Sequence, residues 1–100
     1  MEQIIEILKT DEFLEWFDEQ QEKTKLLIDA RLDRIAYFAH FGTINRFAGI
    51  IELKWKSGMR VYTHRLDQET LIVLLGGTKH GQEKAIHKAK KILAQIHEAD

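Results

Sequence analysis

The sequence predicts an α+β fold with the element order β-α-α-β-β-β-α, a mainly antiparallel sheet packed by helices. Three observations carry that expectation. Two apolar-patterned stretches, Ile50 to Trp55 and Met59 to Leu66, flank Lys56-Ser57-Gly58 and read as a β-hairpin. Leu71-Ile72-Val73-Leu74-Leu75 is an unbroken apolar run of strand length, which suits a central strand covered on both faces. Apolar residues recur at three- and four-residue spacing in Ile28, Leu32, Ile35 and Ala39, and again in Ala85, Ile86, Ala89, Leu93 and Ile96, the pattern of helices with one buried stripe. One hundred residues suit a single domain over positions 1–100, with no internal repeat and no low-complexity linker.

Ile4-Ile5-Glu6-Ile7-Leu8 reads as the first strand, rich in β-branched residues. Thr10 or Asp11 supplies the N-cap of a helix whose stripe is Phe13, Leu14, Trp16 and Phe17. At that spacing Trp16 is a core residue rather than a platform for a base. Glu19 to Lys25 is a polar junction, and a second helix runs from about Glu22 to Ala39. Arg31 and Arg34 lie off its stripe beside Asp29 and Asp33, on a face left to solvent or a partner. Periodicity ends at His40-Phe41-Gly42, so Gly42 reads as a C-terminal stop and 40–47 as a loop. Arg46 in that loop is a candidate phosphate contact.

The hairpin turn decides which side chains share a face. A three-residue Lys-Ser-Gly loop with Gly58 left-handed pairs Leu53 with Val61 and Ile51 with Thr63, keeping apolar residues together, whereas a two- or four-residue loop mixes the faces. Its consequence is a second face that carries Glu52 opposite Tyr62, Lys54 opposite Arg60, and His64 opposite Ile50. Without further information this is a solvated polar face. Asp67-Gln68-Glu69 turns the chain into the apolar strand. Gly76-Gly77-Thr78-Lys79-His80-Gly81-Gln82 then opens the last helix, with Thr78 as its N-cap and Lys84, Lys88, Lys90 and Lys91 on its outer face.

Composition sets bounds. With no cysteine, disulfides and thiolate metal sites are excluded, in keeping with a reducing cytoplasm. The first residues show no basic region followed by an apolar run, and Leu71–Leu75 is too short to span a bilayer, so a cytoplasmic protein without membrane contact is expected. The net charge of −1 hides an asymmetry: residues 1–23 hold eight acids against two lysines, residues 24–100 thirteen Lys and Arg against eight acids. Phosphate binding responds to local charge, so the second part is compatible with RNA. Gly76-Gly77-Thr78-Lys79 lacks the spacing of a nucleotide phosphate loop. His80 and His87 stand seven residues apart with no carboxylate-His cluster, so neither a metal nor a small-molecule cofactor is expected.

Glu52-Leu53-Lys54, Gly58-Met59-Arg60-Val61-Tyr62, Leu74-Leu75-Gly76-Gly77-Thr78-Lys79-His80-Gly81-Gln82 and Lys88-Ala89-Lys90 occur in that order. With Phe13-Leu14-Glu15-Trp16 and Ala30-Arg31-Leu32-Asp33-Arg34, they resemble the RelE/ParE toxin superfamily, and within it the HigB-like "addiction module killer protein" branch. The resemblance covers roughly Phe13 to Leu93. It implies a RelE-like fold and the toxin of a type II toxin-antitoxin system. Such a toxin is an endoribonuclease, an mRNA interferase that stops translation by cutting mRNA on the ribosome, silenced by a helix-turn-helix antitoxin.

Metal-free RNA cleavage needs a base, a donor to the leaving oxygen and cations for charge building on phosphorus. The resemblance matches Lys54 and Lys56, Arg60 and Lys79 to the family's basic site residues, with Lys56 as an RNA-binding residue, and Arg46 and His80 are further candidates for binding RNA. Where many relatives carry a C-terminal tyrosine or histidine, this chain has Ala85 and Ile86, which leaves proton transfer to Tyr62 or His64 on the polar face. Met59 replaces an aromatic residue usual before the arginine. The alternative is a non-enzymatic protein: a ParE-like blocker of DNA gyrase or an inactive interaction module. The Lys54, Arg60 and Lys79 set favours RNA cleavage, because a gyrase blocker has no need of it.

Overall fold

Five strands form one sheet in the order β1-β5-β4-β3-β2, in a computed structural model that describes residues 2–98. Strand β1 is Glu6–Lys9, followed by helices α1, Asp11–Asp18, and α2, Glu22–Phe38. Strands β2 (Ile44–Phe47), β3 (Ile50–Lys54), β4 (Met59–Asp67) and β5 (Thr70–Thr78) follow. A 3-10 turn, Lys79–Gly81, leads into α3, Gln82–Glu98. The β1–β5 pair is parallel, the other three pairs antiparallel. This is the expected fold with one strand more.

The hairpin has the register that its loop length dictates: Ile51 faces Thr63, Glu52 Tyr62, Leu53 Val61, and Lys54 Arg60. Gly58 has a φ of +100° and its N–H donates to the Trp55 carbonyl at 3.1 Å, which closes the turn. Thr10 is the N-cap of α1: its Oγ1 accepts from the Phe13 N–H at 3.0 Å and donates to the Leu74 carbonyl at 2.8 Å, tying helix to sheet.

Several local expectations are corrected. The first strand begins at Glu6, because the Ile4 and Ile5 N–H groups donate to the Ala36 carbonyl of α2 instead of to a strand. Residues 44–47 are a strand paired with β3, not a loop, joined by Ala48 and Gly49, both at positive φ (46° and 86°). An Ala-Gly turn lacks the usual Asn-Gly or Asp-Gly signal. Helix α2 stops at Phe38, where Ala39 turns left-handed (φ 53°), rather than at Gly42. Thr78 ends β5 and makes no side-chain cap bond.

Each face of the sheet carries its own core. Phe13 of α1 and Ile28, Leu32 and Ile35 of α2 pack on Leu53, Val61, Leu71 and Val73. On the other face Ala89 and Ile92 of α3 pack on Ile50, Tyr62, Ile72, Leu74 and Leu75. The face expected to meet solvent is therefore covered by α3, and Glu52 and Tyr62 are fully buried. Among the described residues no helix is long and apolar enough to cross a membrane.

Gly76 explains half of the glycine pair. A Cβ there would stand 2.2 Å from the Trp16 ring, so the indole lies on bare backbone. Gly76→Ala should destabilise the protein by about 3 kcal/mol, near the upper end for overpacking a filled core; urea unfolding with unchanged m-value is the measurement.

The Tyr62 Oη is buried without a hydrogen-bond partner among the described residues. Burial, and then the charge of Glu52, push its pKa well above the ordinary value. In the unfolded chain the phenol titrates at about 10. The stability that Tyr62 contributes is thus fully present below about pH 10 and lost as pH rises toward the folded value. Tyr62→Phe should flatten this alkaline fall without loss of stability at pH 7; urea midpoints from pH 7 to 11.5 for both proteins test it.

Candidate functional site

The expected cationic residues gather where the β3–β4 hairpin turns. Lys54 ends β3 directly across from Arg60, and Arg60 faces Gly77 of β5 on its other side. Lys56 is exposed in the turn. The Lys79 N–H donates to the Gly58 carbonyl at 2.8 Å, which binds the 3-10 turn to the hairpin. The Lys79 stem lies over Gly58, where a Cβ would sit 3.6 Å from it. Lys79 and His80 are both exposed. One end of the sheet thus presents Lys54, Lys56, Arg60, Lys79 and His80 from three neighbouring segments.

Arg60 is held in place. Its Nη1 donates to the carbonyls of Trp55 at 3.1 Å and Met59 at 2.9 Å, and its Nε stands 4.0 Å from the Glu52 carboxylate. Glu52 in turn accepts from Asn45 Nδ2 at 3.2 Å and Gln82 Nε2 at 2.9 Å. The buried carboxylate links β2, β3, β4 and the start of α3. With Nη1 committed to main-chain carbonyls, Nη2 is the part of the guanidinium left for an outside anion.

Three of the expected residues lie elsewhere. Tyr62 is beneath α3, and its buried hydroxyl stays neutral to high pH. His64 is half-buried, with Nδ1 2.7 Å from the Gly49 carbonyl and its ring edge-on to His97 at 5.7 Å between centroids. Arg46 pairs with Ile51, and side chains on a strand alternate, so it belongs to the opposite sheet face from Lys54 and Arg60. It lines a cavity of about 490 Å³ there with Phe41, Arg65 and Asp67.

Two participants escaped the sequence reading. Glu52 was visible only as the partner of Tyr62; its contact with Asn45 needs a strand that the sequence did not place, and its contact with Gln82 needs α3 packed over this face. Arg31, assigned to an outer face, is buried. Its Nε donates to the Phe41 carbonyl at 3.0 Å and Nη2 to the Thr43 carbonyl at 2.6 Å, while Nη1 donates to the Lys54 carbonyl. The guanidinium also stacks over Trp55 at 4.4 Å. Burial, and then the nearby Arg34, lower its pKa. Its position three residues after Ile28 and four before Ile35 was the available signal.

Chemically, this end of the sheet has one guanidinium held by main-chain carbonyls with lysine ammonium groups around it, a donor set suited to an anion. Among the described residues no group of three or more His, Asp or Glu side chains is placed to hold a metal ion.

Comparison with known proteins gives the site its context. No family model matches the chain. A Haemophilus influenzae protein described as uncharacterized is 37% identical over 95 residues, 91% of this chain and 94% of that one. The structure is similar to a double arginine-to-alanine variant of the E. coli toxin RelE in the free state, with a TM-score of 0.69 at 13% identity over 91% of this chain and 97% of that one. It is also similar to the intact E. coli RelBE toxin-antitoxin complex, with a TM-score of 0.60 at 12% identity over 72% of this chain and 93% of the matched chain. Isolated E. coli RelE gives a TM-score of 0.60 at 12% identity over 72% of this chain and 81% of that one. At these identities the likeness to RelE is one of fold, and it is the fold that the sequence motifs implied. The chain belongs to one family with the Haemophilus influenzae protein, and its fold is that of the RelE toxins.

Proposed function

We propose that the protein is the toxin of a type II toxin-antitoxin system and cuts mRNA on the ribosome. The observation that carries this reading is the set of cations around Arg60 at the hairpin end of a RelE fold. The 2′-hydroxyl of one nucleotide attacks the adjacent phosphate, giving a cyclic phosphate and a freed 5′-hydroxyl. Only RNA offers that nucleophile. Arg60 Nη2 and Lys54 stabilise the charge that develops on the phosphate oxygens, and Lys79 donates toward the leaving oxygen. Lys56 and His80 hold the strand. A lysine of this group takes the 2′-hydroxyl proton as the base. Tyr62 and His64 are left out, since neither side chain reaches this end of the sheet, and Arg46 is left to the other face.

The ribosome supplies substrate positioning, so that a small set of side chains suffices. The partner that silences the toxin is a cognate antitoxin, as the RelBE complex supports for this fold, and the setting is the cytoplasm. The HigB-like motifs support an assignment to that branch. A second reading, a non-enzymatic interaction module, is favoured by the way Glu52 and two carbonyls occupy part of the Arg60 guanidinium.

Primer extension on a reporter mRNA in a bacterial translation extract separates the two. The wild type should cut only with active ribosomes, and Arg60→Ala and Lys79→Ala should each slow cutting by about 10²- to 10³-fold, the loss typical of one transition-state contact. Intact mRNA with the wild type would end the nuclease reading and leave the interaction module.

A further inference from the structure

A second feature borders the cationic end of the sheet and is unused by the proposed chemistry. Between the α1–α2 junction, the hairpin turn and the 3-10 turn lies a cavity of about 400 Å³. That volume lies within the range of small-ligand sites, about 300 to 1,000 Å³. Leu27 and Met59 give it apolar walls, Lys23, Lys79 and His80 stand around it, and no carboxylate of the described residues lines it. The groove between α1 and α3 contrasts with it, since Glu12, Glu15 and Glu19 line that one. Two amides also reach the cavity. Gln21 sits at the N-cap of α2 without making a cap bond, and Gln20 spends only its Nε2, on the Trp16 carbonyl at 2.9 Å. Apolar walls, free amide groups and flanking cations without an opposing acid match the three parts of a nucleotide: flat base, hydrogen-bonding edge and phosphate.

We infer that this cavity holds one nucleotide of the RNA strand, its base against Leu27 and Met59 and its phosphate on Lys23 and Lys79. The identity of the strand rests on the RNA reading above. Lys79 belongs both to the cavity and to the cationic group around Arg60, whereas Met59 alternates with Arg60 and faces the α1–α2 side. The strand therefore passes around the end of the sheet from the cavity to the phosphate to be cut. Gln20 and Gln21 are then the groups that discriminate between bases.

The test is a titration of the intact protein, followed by methyl NMR signals of Leu27 and Met59. The probes are the four ribonucleoside 5′-monophosphates, ribose 5-phosphate and inorganic phosphate. At least one nucleotide should shift both methyls at a tenfold lower concentration than either base-free phosphate. Leu27→Trp, at a half-exposed position on α2, should weaken that binding at least tenfold by filling the cavity, and Lys23→Gln severalfold. Absence of shifts, equal shifts with inorganic phosphate, or undiminished binding by Leu27→Trp would each overturn the inference. The outcome is separable from that of the cutting assay. Cut mRNA without nucleotide binding removes the cavity and keeps the nuclease, whereas nucleotide binding without cutting keeps the cavity and removes the nuclease.

Discussion

A buried guanidinium joins the second helix to the end of the sheet. Arg31 is 8% exposed and spends its donors on the carbonyls of Phe41, Thr43 and Lys54, with the Trp55 ring against its face. A buried charge normally needs an opposite partner. Here three main-chain dipoles and an aromatic face serve, and the guanidinium remains charged because its proton affinity is too high for burial to remove the proton. The chain around it yields to the clamp. Gly42 has a φ of +74°, and a Cβ there would approach Arg31 Nη2 to 3.1 Å. The clamp thus sets the start of β2, the end of β3 where Lys54 sits, and Trp55, whose carbonyl receives Arg60.

From that anchored hairpin the polar side of the sheet takes its form. Alternation sends Glu52, Lys54, Arg60 and Tyr62 to one face, and α3 closes over only part of it. Under the helix lie Glu52 and Tyr62; beyond its first turn stand the lysines, with the Arg60 side chain, 11% exposed, at the boundary. The boundary is incompletely satisfied, since Arg60 Nε and Tyr62 Oη are buried without hydrogen-bond partners among the described residues. Each such atom costs about 1–3 kcal/mol. Polar atoms left short of partners concentrate where function competes with stability. Of the two, Arg60 Nε stands next to the lysines at the hairpin end, and Tyr62 Oη lies under α3.

The glycine pair shows how one motif serves two purposes. Gly76 makes room for the Trp16 indole, while Gly77 faces Arg60 across the ladder, where a Cβ would sit 3.7 Å from that of Ala85. The stretch that resembles a phosphate loop is thus the end of a buried strand, and its lysine reaches the site because the Lys79 N–H is bonded to the hairpin turn.

What the sequence by itself determined was whatever depends on spacing. The Lys-Ser-Gly loop set the hairpin register, Thr10 began the first helix, and the stripes of α2 and α3 found the sheet, because pleat, cap and helical turn are local geometries written in neighbouring residues. The pairing of Lys54 with Arg60 was legible for the same reason. Tertiary structure alone decided that α3 covers Glu52 and Tyr62, that 44–47 pairs as a strand, and that Arg31 turns inward. Each of these depends on what lies across space: a helix some thirty residues away in sequence, an edge offered by β3, and three carbonyls that only the folded chain brings to one guanidinium. Burial is a property of the neighbours a residue acquires, so polar residues that alternation assigned to solvent became the inner side of the candidate site.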